Sequence, residues 1–202
     1  SSWLDNSLRV NAAAFYSDYQ DMQLVALFGF APVTKNAGEA TIQGFEIEAT
    51  YIPESSWLIQ LGVGYLDAEY EELSDDILNT TPITKDSAFA QVPEWSTNLG
   101  ISYNTTWGEW TVEPRLDWIY SDETYQDATN DPLLLSDSYD LLNASITMTS
   151  ASDAWELVAA GRNLTDELYL ITGRSSFNSA PGYAEGIYSR GKEWSLSVKY
   201  NF

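Results

Sequence analysis

No stretch of 18 or more consecutive apolar residues occurs in this chain of 202 residues, yet apolar residues recur at every second position over long stretches. The first fact excludes a transmembrane helix. The second keeps a transmembrane strand, which needs only about 9–11 residues. In the last segment Trp194, Leu196, Val198, Tyr200 and Phe202 alternate with Glu193, Ser195, Ser197, Lys199 and Asn201. Successive side chains of a strand point to opposite faces, so one face here is apolar and the other polar. Trp57, Ile59, Leu61, Val63 and Tyr65 form a second row, opposite Gln60, Gly62 and Gly64. Trp95, Thr97, Leu99, Ile101 and Tyr103 form a third, opposite Ser96, Asn98, Gly100 and Ser102. Aromatics close both ends of these rows, as girdles at two membrane interfaces do, and the small polar partners suit a wet interior.

Read this way throughout, the sequence predicts eight strands over residues 8–24, 39–52, 57–71, 91–104, 109–121, 138–149, 154–164 and 187–202. The connections alternate in length. Those at 53–56, 105–108 and 150–153 are tight, whereas the links around Phe30, Leu78, Thr129 and Phe177 are long. Outer-membrane barrels have short periplasmic turns and longer extracellular loops. A half-buried strand of a soluble sandwich alternates in the same way. Long strands, aromatics at the row ends and strictly alternating link lengths favour the barrel.

Composition narrows the function. With 9 Lys and Arg against 30 Asp and Glu, the formal charge is −21, which removes the cations that sequence-independent nucleic-acid binding depends on. The 8 Trp and 13 Tyr argue against a disordered acidic chain. Cysteine and histidine are both absent, so disulfides, thiolate metal sites and the usual nucleophile and base pairs cannot be built. Carboxylates do occur in pairs, as in Glu71 with Glu72 and Asp75 with Asp76, but neighbours in a loop do not set the cleft separation that a glycosidase needs. Asp127, Asn130 and Asp131 resemble a calcium loop only in part, since the turn glycine and terminal glutamate are missing. The sequence therefore assigns no catalytic residue, metal or cofactor. Ser1, Ser2 and Trp3 carry no signal-peptide features, so the start reads as internal.

Several segments resemble the TonB-dependent receptor family. NAAAFYSDYQDMQ from Asn11 and NAGEATIQGFEIEATYIP from Asn36 are similar to two successive barrel strands of that family. VPEWSTNLGISY from Val92, GRNLTDELY from Gly161 and the closing SLSVKYNF from Ser195 resemble further receptor segments, in the same order. The resemblance implies an all-β fold: an antiparallel transmembrane β-barrel, with about eight C-terminal strands of a 22-stranded type. Residues 1–202 are then a single segment of the barrel domain, without the plug and TonB-contacting segment that active uptake requires. The location implied is the bacterial outer membrane. The function implied is TonB-dependent uptake of a scarce nutrient, such as an iron-siderophore, cobalamin or a carbohydrate. Two alternatives stay open on the residues: a self-contained eight-stranded barrel with a structural or adhesin role, and a soluble carbohydrate-binding sandwich.

In a barrel Glu46, Glu48, Asn98 and Ser197 are expected to face the lumen, while Leu196 and Val198 face lipid. Tyr125, Tyr169, Phe177 and Tyr183 are candidates for stacking on a ligand at the extracellular loops. The resemblance implies that the barrel-assembly machinery reads Phe202 as part of the last strand. Expected partners are outer-membrane lipid and lipopolysaccharide, that assembly machinery, and the TonB system through the missing plug region.

Overall fold

The computed structural model describes residues 1–28, 31–175 and 182–202. One antiparallel sheet dominates it, built from β1 (Leu8–Phe28), β2 (Ala31–Tyr51), β3 (Trp57–Leu73), β4 (Trp95–Tyr103), β5 (Trp110–Ser121), β6 (Tyr139–Ser150), β7 (Trp155–Arg162) and β8 (Glu193–Tyr200). Each long strand pairs with the next in sequence, so the sheet is an up-and-down meander. The short strand Ser2–Trp3 lies on the outer edge of β1, and Thr105–Trp107 pairs with β5.

The register turns the sequence alternation into two distinct faces. Trp57, Ile59, Leu61, Val63 and Tyr65 stand opposite Tyr103, Ile101, Leu99, Thr97 and Trp95. The rings of Trp57 and Tyr103 lie 4.6 Å apart at one end of this band, and those of Tyr65 and Trp95 lie 4.8 Å apart at the other, joined by Phe45. Trp57 and Tyr65 are separated by about 27 Å of strand at about 3.4 Å per residue. A tilt of about 35–45° lowers this to about 20 Å, near the height of an outer-membrane apolar band. Beyond Phe45 and Tyr65 the same face turns polar: Gln43 donates to Asp67 at 3.0 Å and the Thr41 hydroxyl to Glu71 at 3.2 Å.

Eight predicted strands correspond to eight observed ones, with differences at the ends. β2 begins before residue 39 because a bulge resets the alternation without ending the pairing, and β1 runs on past residue 24 through residues that are apolar at every position. Met22 pairs with Gly38, after which Gln23 pairs with Asn36 and the ladder continues to Phe28 and Ala31. Gly38 has φ +136°, and a Cβ there would sit 1.9 Å from the Glu72 carbonyl oxygen, so only glycine fits the crossing. Ile187 belongs to a separate hairpin, in which Leu170–Ser175 pairs with Ala184–Tyr188, and the last long strand starts only at Glu193. The link around Leu78 contains a short helix, Asp75–Thr80, capped by Ser74 and opened by two acids that suit its N-terminus.

The sheet is open. β1, with the short Ser2–Trp3 strand on its outer side, and β8 lie at opposite ends of it and do not pair, so the closure required by a self-contained eight-stranded barrel is not formed. The other described strands form only two-stranded pieces, which leaves no second sheet to make a sandwich.

Candidate functional site: the inner face and the loop rim

The face opposite the aromatic band is lined by small and polar residues. Glu46 stands opposite Gly64, and Gly64 opposite Ser96; Glu48 stands opposite Gly62, and Gly62 opposite Asn98. Three of the four expected lumen residues therefore share neighbouring rungs. The fourth, Ser197, pairs with Val158 at the far edge of the same face. Glycines here make room for larger neighbours. A Cβ on Gly62 would lie 2.5 Å from the Asn98 amide, and one on Gly100 would lie 2.6 Å from the Arg115 guanidinium.

Arg115 and Asp117 form a two-pronged ion pair above Gly100, with Nε to Oδ2 at 2.9 Å and Nη2 to Oδ1 at 2.6 Å. Arg115 also reaches Gln60 on β3 at 3.4 Å. The sequence reading did not single out this pair. Opposite charges two residues apart on the polar face of a strand were the available signal.

At the end of the sheet with the long links, the connections pack onto the strands and onto one another. Ile77 and Ile83 are buried against Ala37, Tyr70 and Leu73, and Tyr70 stacks on Phe89 at 4.3 Å. The Asn130 amide clamps the neighbouring link through Ala88, accepting from its N–H at 2.6 Å and donating to its carbonyl at 2.9 Å. Gln91 N–H donates to the Tyr125 carbonyl at 2.8 Å. Leu134 and Leu170 are buried together, and the Gln126 amide donates to the Leu170 carbonyl at 3.3 Å. Asp127 uses its Oδ1 on Thr129, accepting from the N–H at 3.1 Å and the hydroxyl at 2.7 Å. The loops thus form one connected rim.

Two recesses open in this rim on either side of Thr124, of about 430 and 420 Å³. Tyr125 lines the first beside Phe89 and Glu94. Tyr169 lines the second, stacked on Tyr139 with ring centres 3.9 Å apart and planes 10° from parallel. Burial, and after it the neighbouring Tyr139, raises the Tyr169 hydroxyl above the usual tyrosine value, so it stays a neutral donor at physiological pH. Tyr183 lies beside the separate hairpin and lines neither recess. Phe177 falls outside the described residues.

A residue missed as a site holds the rim to the barrel. Asn163, buried with φ 48°, donates through its amide to the carbonyls of Glu167 at 2.8 Å and Arg190 at 2.9 Å. Its Oδ1 accepts from the Glu167 N–H at 3.0 Å, and its own N–H donates to Asn143 at 2.8 Å. Asp166 completes the knot by accepting from the Lys192 N–H at 2.7 Å.

A long antiparallel meander with an aromatic-bounded apolar face, a polar inner face, short turns at one end and packed loops at the other defines the wall of a transmembrane β-barrel. The chain belongs to the TonB-dependent receptor family, whose description "TonB dependent receptor-like, beta-barrel" matches residues 1–164. Members of the family are outer-membrane transporters that interact with TonB; they are not enzymes.

Solved structures agree on the fold. The ferric yersiniabactin uptake receptor FyuA from Yersinia pestis is 20% identical with a TM-score of 0.79, covering 97% of this chain and 28% of that one. The siderophore receptor PiuA from Acinetobacter baumannii is 22% identical with a TM-score of 0.69, covering 98% of this chain and 27% of that one. The copper transporter OprC is 19% identical with a TM-score of 0.69, covering 97% and 28%. The chain spans little more than a quarter of the length of these proteins.

Proposed function

We propose that this chain supplies barrel wall and extracellular rim to a receptor that takes up a scarce nutrient, an iron-siderophore, cobalamin or a carbohydrate, in a TonB-dependent manner. The family match over residues 1–164 is the observation that carries the reading. In it, residues 1–202 are one segment of the barrel domain, and the plug and TonB-contacting segment belong to other parts of the receptor. The aromatic-bounded row meets outer-membrane lipid, with lipopolysaccharide at the loop end. Glu46, Glu48, Asn98 and Ser197 line the lumen, and Tyr125, Tyr169, Phe177 and Tyr183 are the candidate aromatics for stacking on the ligand. The barrel-assembly machinery reads Phe202, whose ring packs edge-on against Tyr200 at 4.9 Å. Relatives named for a ferric siderophore and for copper share this one fold, so the fold by itself leaves the cargo open.

The test is location and energy dependence together. The receptor is expected in the outer-membrane fraction after high-salt washing, with cargo accumulation abolished when the TonB system is inactivated. Recovery in the soluble fraction, or uptake indifferent to TonB, would count against it.

A further inference from the structure

The inner face of the wall holds a recess of about 680 Å³, larger than either rim recess. Its polar lining comes from β3 to β6: Gln60, Asn98, Arg115, Asp117, Asn143 and Ser145. Alternation along a strand aims every second side chain at the lumen, yet the longest of these lies along the sheet. Arg115 reaches sideways across β4 to Gln60 on β3, and Asp117 holds it there by two bonds. Gly100 lies under the crossing. A Cβ at 100 would sit 2.6 Å from the guanidinium and 3.0 Å from Asp117 Oδ1, so glycine is what lets both lie flat. Asn98 folds over Gly62 in the same way. The recess is open because its own side chains are laid against the wall.

Its charges are also settled within the wall. Arg115 pairs with Asp117, Arg162 stands opposite Glu193 on β8, and Asn143 accepts from the Asn163 N–H at 2.8 Å. An element covering this surface would gain no ion pair from it. It would instead strip water from a pair whose side chains are 33% and 32% exposed, and the attraction within a desolvated pair offsets that cost poorly. Toward the loops the next rung is Gly64, Ser96 and Ser121 on three adjacent strands, so small side chains lead from the recess to the rim.

We propose that the β3 to β6 sector is the uncovered side of the lumen in the assembled receptor: a water-filled conduit that admits small hydrophilic solutes from the loop end without energisation. Gly100 is its positioning residue, since it keeps Arg115 against the wall. This rests on the receptor reading above and adds which side of the lumen is open to a passing cargo.

The chain has no cysteine, so single cysteines placed in the full-length receptor, freed of any elsewhere, report access in intact cells treated with sulfonatoethyl methanethiosulfonate. Asn98→Cys and Ser145→Cys are expected to react within about tenfold of the exposed loop variant Asp86→Cys, and Leu61→Cys on the lipid-facing row at least about a hundredfold more slowly, since water is excluded there. Inactivating TonB should change the rates at 98 and 145 by less than about twofold, because the opening is built into the wall. Ser145 stands opposite Arg115, and the backbone at 100 is not left-handed, so Gly100→Leu should displace Arg115 into the recess and slow labelling at 145 about fivefold. Asp117→Ala, which frees Arg115 without crowding the strand, should act in the same direction. Recess cysteines as slow as Leu61→Cys, or reactive only when TonB is active, would overturn the conduit and leave the receptor reading standing. Unchanged labelling at 145 in both G100L and D117A would overturn the role of Gly100. Rapid labelling of Leu61→Cys would overturn the membrane wall and the conduit together.

Discussion

Asn163 shows how much one side chain can hold at the exit of a barrel strand. Its amide joins residues 27 positions apart in the chain, and its left-handed backbone is a conformation that asparagine tolerates better than most residues. Asn163→Ala removes the two bonds its amide donates and the two its Oδ1 accepts, from the Glu167 N–H and the Thr165 hydroxyl, which is expected to cost about 2–4 kcal/mol at about 0.5–1.5 kcal/mol per bond. Reversible denaturation of the receptor refolded into lipid vesicles measures it, and a cost below about 1 kcal/mol, the scale of a single ordinary hydrogen bond, would refute the knot. The sequence offered GRNLTDELY as a family-like segment and nothing about this role, because the partners at 167 and 190 become neighbours only through the fold. Phe202 is the opposite case. Its ring is fully exposed and touches Tyr200. Its deletion should leave the folded barrel's stability nearly unchanged while slowing insertion into the outer membrane, measured by pulse-chase protease protection. Insertion at the normal rate would refute the assembly role.

Among the elements, those with a sharp difference between faces were the most legible in the sequence. β3 and β4 alternate apolar with small or polar residues from one aromatic to the next, and their predicted starts and ends lie within a few residues of the observed ones. The predicted β2 is too short because the bulge at Gly38 shifts the phase and a period-2 pattern stops there, and the predicted β1 is too short because residues 24–28 are apolar at every position and show no alternation. The 184–188 strand was absorbed into the last strand because its pairing partner lies in the preceding link. The helix at 75–80 is too short to show a helical period, although Ser74 and two following acids marked its start.

The loop rim was the least legible part, since its order comes from side-chain clamps between links far apart in sequence. Asn130→Ala should therefore release the 122–138 link from Ala88 without loosening the strands. Amide exchange at Ala88 is expected to quicken about 2- to 12-fold, the equivalent of the roughly 0.5–1.5 kcal/mol of one ordinary hydrogen bond. Exchange in β3 and β4 should stay unchanged. Unaltered protection at Ala88 would mean that the rim is held by something other than this clamp.

At the scale of the whole molecule, stability and function both depend on which face meets lipid. A soluble sheet hides its apolar face against another layer, but here the aromatic-bounded row is left uncovered across the meander, and Leu196 is 77% exposed on β8. The described core is small and sits at the loop end, where Ala37, Tyr70, Leu73, Ile77 and Ile83 meet. Lipid, not a second sheet, must cover the rest. This division was readable from alternation before any comparison. The identity of the cargo was not, because it depends on a rim assembled from three links.

Arginine placed along β8 tests the face assignment most directly. Leu196 pairs with Ala159 in mid-strand, Tyr200 packs on Trp155 near the girdle at the short-turn end, and Ser197 pairs with Val158 on the other face. Unfolding free energies of the receptor in lipid vesicles are measured for arginine at 194, 196, 197, 198 and 200. Leu196→Arg should cost about 2–4 kcal/mol and Tyr200→Arg about 0–1 kcal/mol, the depth dependence expected of a bilayer, while Ser197→Arg is tolerated in a wet lumen. Equal costs at 196 and 197, or a flat profile along the outward row, would contradict a transmembrane wall.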